Sequence, residues 1–307
     1  TADHQALYHA CKESAGEGVL AVAVITPGQW LLQDEAKSRV QFWLANLEKL
    51  RQDLLALNIP LMVIRAATNH ELPQQLLALA QQHRVSELYF NREYPRYEQS
   101  RDQRVRHLFA QHRIRSQVFD SDLVLAPATV LNQQGRAYKV FTPFSKAWRR
   151  QFMLLNPGPL PAPSKQQSTL IISDPVPTEI GYLNRKGADW CADLWPAGAD
   201  TAHRLLQQFV SNKLQAYPQM RDFPGKFATS SLSPYLSVGV LTARQCIAAM
   251  QTYSNNTEWL QSQWLTELIW REFYRNLLFH FPELCKHQCF KIKYQQSVWH
   301  NNKDHFL

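Results

Sequence analysis

Hydrophobic positions in the first 125 residues alternate between two periods. Residues 19–25 form a continuous apolar run of strand length, whereas apolar residues between positions 35 and 57 recur at helical spacing until Asn58 and Pro60 end the pattern. The same alternation continues with strands at 61–64 and 88–90 and helices at 71–83 and 101–112. Repeated strand–helix units with uninterrupted apolar strands predict a Rossmann-like α/β domain, whose parallel sheet is covered on both faces.

The pattern changes twice further along the chain. Residues 126–198 hold 9 of the 17 prolines and predict an irregular connector, with one strand-like run at 169–172. From about residue 200 the pattern is helical, and it predicts helices at 201–214, 233–240, 242–253 and 258–279. We therefore expect an α/β domain at 1–125, a linker at 126–198 and an all-α domain at 199–307. Residues 3–11 already have a helical pattern, so the first strand of the sheet is expected to be missing.

Composition narrows the class of protein. Hydrophobic residues make up 45% and charged residues 19% of the 307, which is typical of folded domains. No apolar stretch is long enough for a membrane helix, and no signal sequence opens the chain. Five scattered cysteines do not suit a disulfide framework, so a cytoplasmic location is expected. The formal net charge of +8 favours a polyanionic partner.

A cluster of hydroxyl residues precedes a proline in the helical half. Thr229, Ser230, Ser231 and Ser233 come directly before or beside Pro234, with Ser233 at the position of a helix N-cap. Hydroxyls and free backbone N–H groups at such a turn can hold a phosphate or pyrophosphate. Simple helix capping is the alternative.

The segment 264–274 carries the most distinctive pattern. Trp264, Glu267, Trp270 or Arg271, and Tyr274 are three or four residues apart, so they are predicted to share one helical face. Because burial of two charged side chains is costly, this face is not expected to pack in the core. Flat rings, a carboxylate and a guanidinium suit a nucleobase or flavin site. An amphipathic helix with solvated charges is the alternative.

Histidines and cysteines near the end of the chain are candidate metal ligands. His280, Cys285, His287 and Cys289 lack the paired spacing of structural zinc sites, so no metal is expected.

Four motifs together resemble the DNA photolyase/cryptochrome family, and most closely the bacterial class I cyclobutane-pyrimidine-dimer photolyases with a folate antenna. The motifs are WLTELIWREFY at 264–274, TSSLSPYLSVGVLTARQ at 229–245, RDFP at 221–224 and YKVFTPF at 138–144. The resemblance implies an α/β antenna domain, a linker and a helical FAD domain. It also implies that the chain begins just after the family's first strand and ends inside the FAD domain, which is then truncated.

The resemblance also implies roles for individual residues. It implies FAD contacts from Tyr217, Thr229, Ser230, Ser231, Leu232, Ser233 and Trp264. It implies DNA contacts from Arg221, Glu267, Trp270 and Arg271, and electron transfer through Trp299. For the antenna, 5,10-methenyltetrahydrofolate, it implies Tyr97, Glu98, Cys285 and Lys286, although the family usually has Asn at the position of Tyr97.

The implied activity is the light-dependent repair of cyclobutane pyrimidine dimers by electron transfer from reduced, excited FAD. A monomeric bacterial lyase that binds damaged DNA is therefore expected. Two alternatives stay open: a cryptochrome-type flavin photoreceptor and an inactive photolyase fragment.

Overall fold

The computed structural model describes residues 1–14, 16–253, 257–286 and 288–297, apart from the side chain of Lys286. The first part alternates helices and strands, and the second part is helical. The strands are β1 (Ala21–Ile25), β2 (Leu61–Arg65), β3 (Glu87–Asn91) and β4 (Arg115–Phe119). The helices are α1 (Gln5–Glu13), α2 (Pro27–Leu32), α3 (Lys37–Ala56), α4 (Leu72–Gln82), α5 (Arg96–Gln111), α6 (Phe141–Leu155), α7 (Ala199–Asn212), α8 (Tyr217–Met220), α9 (Ser233–Ser237), α10 (Ala243–Tyr253) and α11 (Gln263–His280).

The strands pair in two parallel couples. β1 pairs with β2 from Ala21 opposite Leu61, and β3 pairs with β4 from Glu87 opposite Arg115. β1 and β2 are joined through α2 and α3, and β3 and β4 through α5, because parallel neighbours need a long crossover connection. The predicted α/β domain followed by a helical domain is confirmed.

The single sheet expected from the sequence is instead two sheets of two strands. Between β1 and β3 lies a cavity of about 1500 Å³, lined by Val22 and Val24 from one side and by Leu88 and Phe90 from the other. Helix α1 occupies the segment before β1, as the pattern predicted, and no described residue forms a strand between β1 and β3. The two sheets stay separate because nothing described bridges their facing edges.

The proline-rich region differs most from expectation. The strand predicted at 169–172 is irregular, with the side chains of Leu170 and Ile172 almost fully exposed. Helix α6 lies inside the predicted connector and buries Phe144, Trp148 and Phe152 at helical spacing. These three rings join α7, α10 and α11 in the largest hydrophobic core, so residues 126–198 are not merely a surface linker.

A buried ion pair joins the start of the chain to the helical part. Asp3, in a left-handed conformation with φ 54°, is 1% exposed and accepts two 3.0 Å hydrogen bonds from Nε of Arg244 on α10. Its carboxylate also accepts bonds from the backbone N–H of Leu160 and the hydroxyl of Thr242. The remaining Arg244 donors bond the carbonyl oxygens of Ser121 and Leu123. Because every charged group has partners, burial of this pair is compatible with stability.

We expect Arg244→Met to lower the free energy of unfolding by about 3–5 kcal/mol, since it leaves the Asp3 carboxylate buried without its counterion. Urea unfolding followed by circular dichroism measures the change. The matched control is Arg39→Met, which breaks the solvent-exposed pair between Arg39 and Glu35 and should change stability by about 0–1 kcal/mol. Equal losses in the two variants would contradict the structural importance of the buried pair.

Candidate functional site

Helix α11 places its polar and apolar residues on different faces. The Ser262 side chain caps its start by accepting a 3.2 Å hydrogen bond from the backbone N–H of Leu265. Leu265, Leu268, Ile269 and Phe273 are buried at helical spacing and fix the inward face. The residues opposite them are only partly buried or exposed. These are Gln263, Glu267, Trp270 and Tyr274, which we call the outer face of α11.

The carboxylate of Glu267 is held from one side. Its Oε1 accepts hydrogen bonds from Nη1 of Arg221 and from Nε2 of Gln263, the latter at 2.8 Å. The Arg221 guanidinium also lies 5.6 Å from the ring centroid of Tyr217. No bond from a described residue reaches Oε2, so that oxygen is left as a hydrogen-bond acceptor at the surface.

Trp270 belongs to an aromatic assembly. Its ring stacks on Phe141 with centroids 3.5 Å apart and planes 5° apart. Tyr274 stacks on Trp270 at 5.6 Å and 23°, and Phe273 meets it edge to face at 5.8 Å. The outer face thus combines a carboxylate oxygen with a large aromatic surface, as the sequence predicted.

Trp264 does not lie on that face. It is 4% exposed and packs in the core against Phe209, with ring centroids 4.7 Å apart. Each step of three residues rotates the helix by about 300°, so the two steps from Trp264 to Trp270 leave these side chains about 120° apart around the helix. Tyr217 also packs against Phe209, edge to face at 5.6 Å. The structure therefore brings Tyr217 and Trp264 together inside the helical core.

The turn at 229–233, which carries the four hydroxyl residues, caps α9 in a different way from the one predicted. Leu232, fully buried, is the N-cap residue of α9, and its side chain makes no capping bond, so the prediction that Ser233 is the N-cap is wrong. Ser231 is left-handed at φ 56°, and Ser230 Oγ accepts a 3.4 Å bond from the backbone N–H of Leu232. Insertion of Leu232 into the core turns the hydroxyls of Thr229, Ser231 and Ser233 outward.

Arg271 is engaged inside the protein. Its Nη1 donates a 2.9 Å bond to the Asp122 carbonyl oxygen, and its Nη2 bonds the Asp122 carboxylate. Arg275, one turn further along α11, pairs with the same carboxylate. Arg271 therefore anchors α11 to the segment after β4, which supports the outer face without belonging to it.

Glu272 is a charged residue that the sequence reasoning missed. Its carboxylate is fully buried and accepts bonds from the backbone N–H of Val124 at 3.0 and 3.1 Å and from Trp148 Nε1 at 3.4 Å. Burial raises its pKa from 4.5 to about 7, against the opposing charge of Arg271. Its position on the apolar face, seven residues after Leu265, is the sequence signal that could have revealed it.

The residues predicted to hold an antenna lie where the start of α5 meets the segment 282–286. Arg96 pairs with Glu283 across this junction, beside Tyr97 and near Cys285. Glu98 is 8% exposed, and its Oε1 accepts a 2.9 Å bond from Gln33 Nε2. Its Oε2 is buried and has no hydrogen-bond partner among the described residues, and burial raises the pKa of the carboxyl.

Two predicted residues cannot be placed. Trp299 and the side chain of Lys286 lie outside the described part of the chain. Within that part, no three His, Cys, Asp or Glu side chains are grouped as metal ligands, and no helix has the length and apolarity to cross a membrane.

Comparison with known proteins gives consistent matches. The sequence profile of the DNA photolyase family matches residues 1–164. A Vibrio cholerae protein named deoxyribodipyrimidine photo-lyase is 34% identical over 299 residues, which cover 95% of this chain and 62% of the relative. The chain thus spans less than two thirds of that relative's length.

Solved structures show the same fold. A class III photolyase from Agrobacterium tumefaciens superposes with a TM-score of 0.80 at 22% identity, covering 99% of this chain and 62% of its own. A Synechocystis cryptochrome superposes with a TM-score of 0.78 at 20% identity, covering 99% and 64%.

We expect the buried carboxyl of Glu272 to make stability fall as pH rises. Unfolding restores its ordinary pKa of 4.5, so between pH 4.5 and about 7 the folded state binds the proton that the unfolded state has lost. Stability should therefore decrease by about 3 kcal/mol across this window and not change further above it. Urea unfolding at a series of pH values measures the effect.

The comparison is with Glu272→Gln, which keeps an acceptor oxygen but does not titrate. The unfolding free energy of wild type minus that of this variant should decrease between pH 4.5 and about 7 and stay constant above that range. Exposed Glu17→Gln is the matched control and should run parallel to wild type. Parallel pH profiles for wild type and Glu272→Gln would refute the raised pKa.

Proposed function

Since this chain belongs to the DNA photolyase family, we propose that it acts in the light-dependent repair of cyclobutane pyrimidine dimers in DNA. The corresponding enzyme is a deoxyribodipyrimidine photo-lyase, which splits carbon–carbon bonds. The observation that carries the proposal is the outer face of α11, where Glu267 offers a carboxylate oxygen that no described residue bonds, close to the aromatic surface of Trp270.

The outer face suits an extruded pyrimidine. Enzymes that act on a base inside a duplex turn it out of the stack, and a damaged base is the least costly to extrude. Glu267 Oε2 can accept a hydrogen bond, for example from the N–H group of a pyrimidine ring. The indole of Trp270 provides a flat surface on which the base can stack. Arg221 lies beside them with a positive charge for phosphate, and the net charge of +8 supports binding to DNA largely independently of sequence.

The helical half suits FAD. The proposed contacts combine the buried rings of Tyr217 and Trp264, which share a core with Leu232, and the outward hydroxyls of the turn at 229–233. Apolar rings beside hydroxyls match a flat ring system attached to a pyrophosphate. When bound, FAD supplies the light-driven electron donation. The chain orients it through the core rings, and Trp299 is proposed as an electron-transfer residue.

A folate antenna, 5,10-methenyltetrahydrofolate, is proposed at the junction of α5 and 282–286. The support is Glu98, whose buried Oε2 has no partner among the residues that the structure describes and suits a ring amino or N–H group. Tyr97, Cys285 and Lys286 complete this proposed site. We propose further that the protein is a cytoplasmic monomer.

A cryptochrome-type photoreceptor is the alternative within the same fold. The two differ in what the outer face does, because a photoreceptor needs no carboxylate and aromatic pair for a damaged base. Illumination of the chain, loaded with reduced FAD, on a dimer-containing oligonucleotide decides between them. Restored thymines support repair; bound flavin without dimer splitting contradicts it.

We expect Trp270→Ala to weaken binding of dimer-containing DNA by about 1–3 kcal/mol, the range for one lost base-stacking contact. Binding of undamaged DNA, which depends on charge, should change little. Fluorescence anisotropy with both oligonucleotides measures the two affinities. Trp30→Ala, a matched substitution in the α/β part, should alter neither. Equal losses for damaged and undamaged DNA would show that Trp270 does not read the lesion.

We expect the double variant Ser230→Ala, Ser233→Ala to bind less FAD, because it removes two hydroxyls proposed to contact the phosphates. The flavin-to-protein absorbance ratio after reconstitution measures occupancy. Ser233 makes no capping bond, so the variant should stay within about 1 kcal/mol of wild-type stability. Ser237→Ala, an exposed serine of the same helix, is the control. Unchanged occupancy would remove the turn from the proposed FAD site.

A further inference from the structure

We propose that Phe141 is a positioning residue, which holds the Trp270 indole in the orientation that stacks on an extruded pyrimidine. The inference rests on the proposed function. Phe141 begins α6, in a region that the sequence predicts to be an irregular connector, and its ring lies flat on Trp270 with centroids 3.5 Å apart and planes 5° apart.

The geometry of this pair is imposed by its surroundings. Aromatic pairs left to themselves favour offset or edge-to-face arrangements with centroids about 4.5–7 Å apart, because two π-faces repel each other in direct overlap. Phe273, on the inward face of α11, meets both rings edge to face, at 5.9 Å from Phe141 and 5.8 Å from Trp270. Phe273 is itself 5% exposed and fixed in the core, so it braces the stacked pair.

The stack settles which surface of Trp270 is available. Phe141 lies flat on one face of the indole and closes that face to a base. A base therefore has to stack from the opposite side, next to the ring of Tyr274, which also stacks on Trp270. A ring braced in this way has less rotamer freedom to lose when a base binds, and loss of such freedom ordinarily weakens binding. Phe141 therefore contributes to affinity through Trp270, without touching the base.

The test compares Phe141→Leu, which keeps an apolar side chain but removes the flat ring, with Phe141→Tyr, which keeps the ring. Anisotropy with dimer-containing and undamaged oligonucleotides gives both affinities. Phe141→Leu should bind dimer-containing DNA about two- to tenfold more weakly and undamaged DNA equally well, and Phe141→Tyr should restore wild-type affinity. Phe141→Met replaces the leucine variant if the latter does not fold.

A second readout needs no DNA. In protein labelled with 5-fluorotryptophan, the ¹⁹F resonance of Trp270, assigned through Trp270→Phe, should carry the ring-current shift of the stacked phenyl group. Phe141→Leu should remove that shift and Phe141→Tyr should keep it. Phe119→Leu is the matched control, because Phe119 stacks on His9 in the α/β part, 4.8 Å between centroids. It should change neither the shift nor the DNA preference.

The outcomes separate this role from the proposed function. If wild type prefers dimer-containing DNA and Phe141→Leu keeps the full preference, the positioning role is overturned alone. Tighter binding by Phe141→Leu also overturns it, because Phe141 then occupies the place of the base. If wild type shows the ¹⁹F shift but no preference for dimers, the proposed function fails and this role with it.

Discussion

The structure depends on a short irregular segment whose backbone groups form hydrogen bonds with buried polar side chains. Residues 121–125 follow β4, and they receive side chains from two helices of the other half. Arg244 bonds the carbonyl oxygens of Ser121 and Leu123, whereas Glu272 bonds the N–H group of Val124. An irregular segment can be buried only if its backbone groups find partners, and here the buried side chains of Arg244 and Glu272 provide them. These bonds fix α10 and α11 relative to the strands.

That constraint determines where the outer face of α11 lies. Glu272 on the inward side and Arg271 at the edge both bond the segment 121–125, so the rotation of α11 about its own axis is fixed. Glu267 and Trp270 consequently lie at the margin of the core, where Glu267 pairs with Arg221 and Trp270 stacks on Phe141. A carboxylate and an indole on a rigid helix keep their separation when a ligand binds, which is the condition for a precise recognition surface.

Much of this could be predicted from periodicity. The end of α3 shortly before Asn58, which has φ 59°, and the outer position of Glu267 and Trp270 follow from local patterns. Helix α6 was missed because Pro143 and the prolines after it indicate a connector, although proline is tolerated in the first turn of a helix. Glu272 was missed because its partners lie almost 150 residues away in sequence, and no local pattern carries such information.

The division of the α/β part into two sheets has a consequence for self-association. In a sheet of two strands, both strands are edges, and each has a row of backbone N–H and C=O groups without a strand partner. Natural edges are often protected by charge, proline or a bulge, but β1 reads AVAVI and has none of these. Such an edge is a template for an extended segment of another molecule. The strand edges beside the cavity are therefore where a second copy of the chain would pair first at high protein concentration.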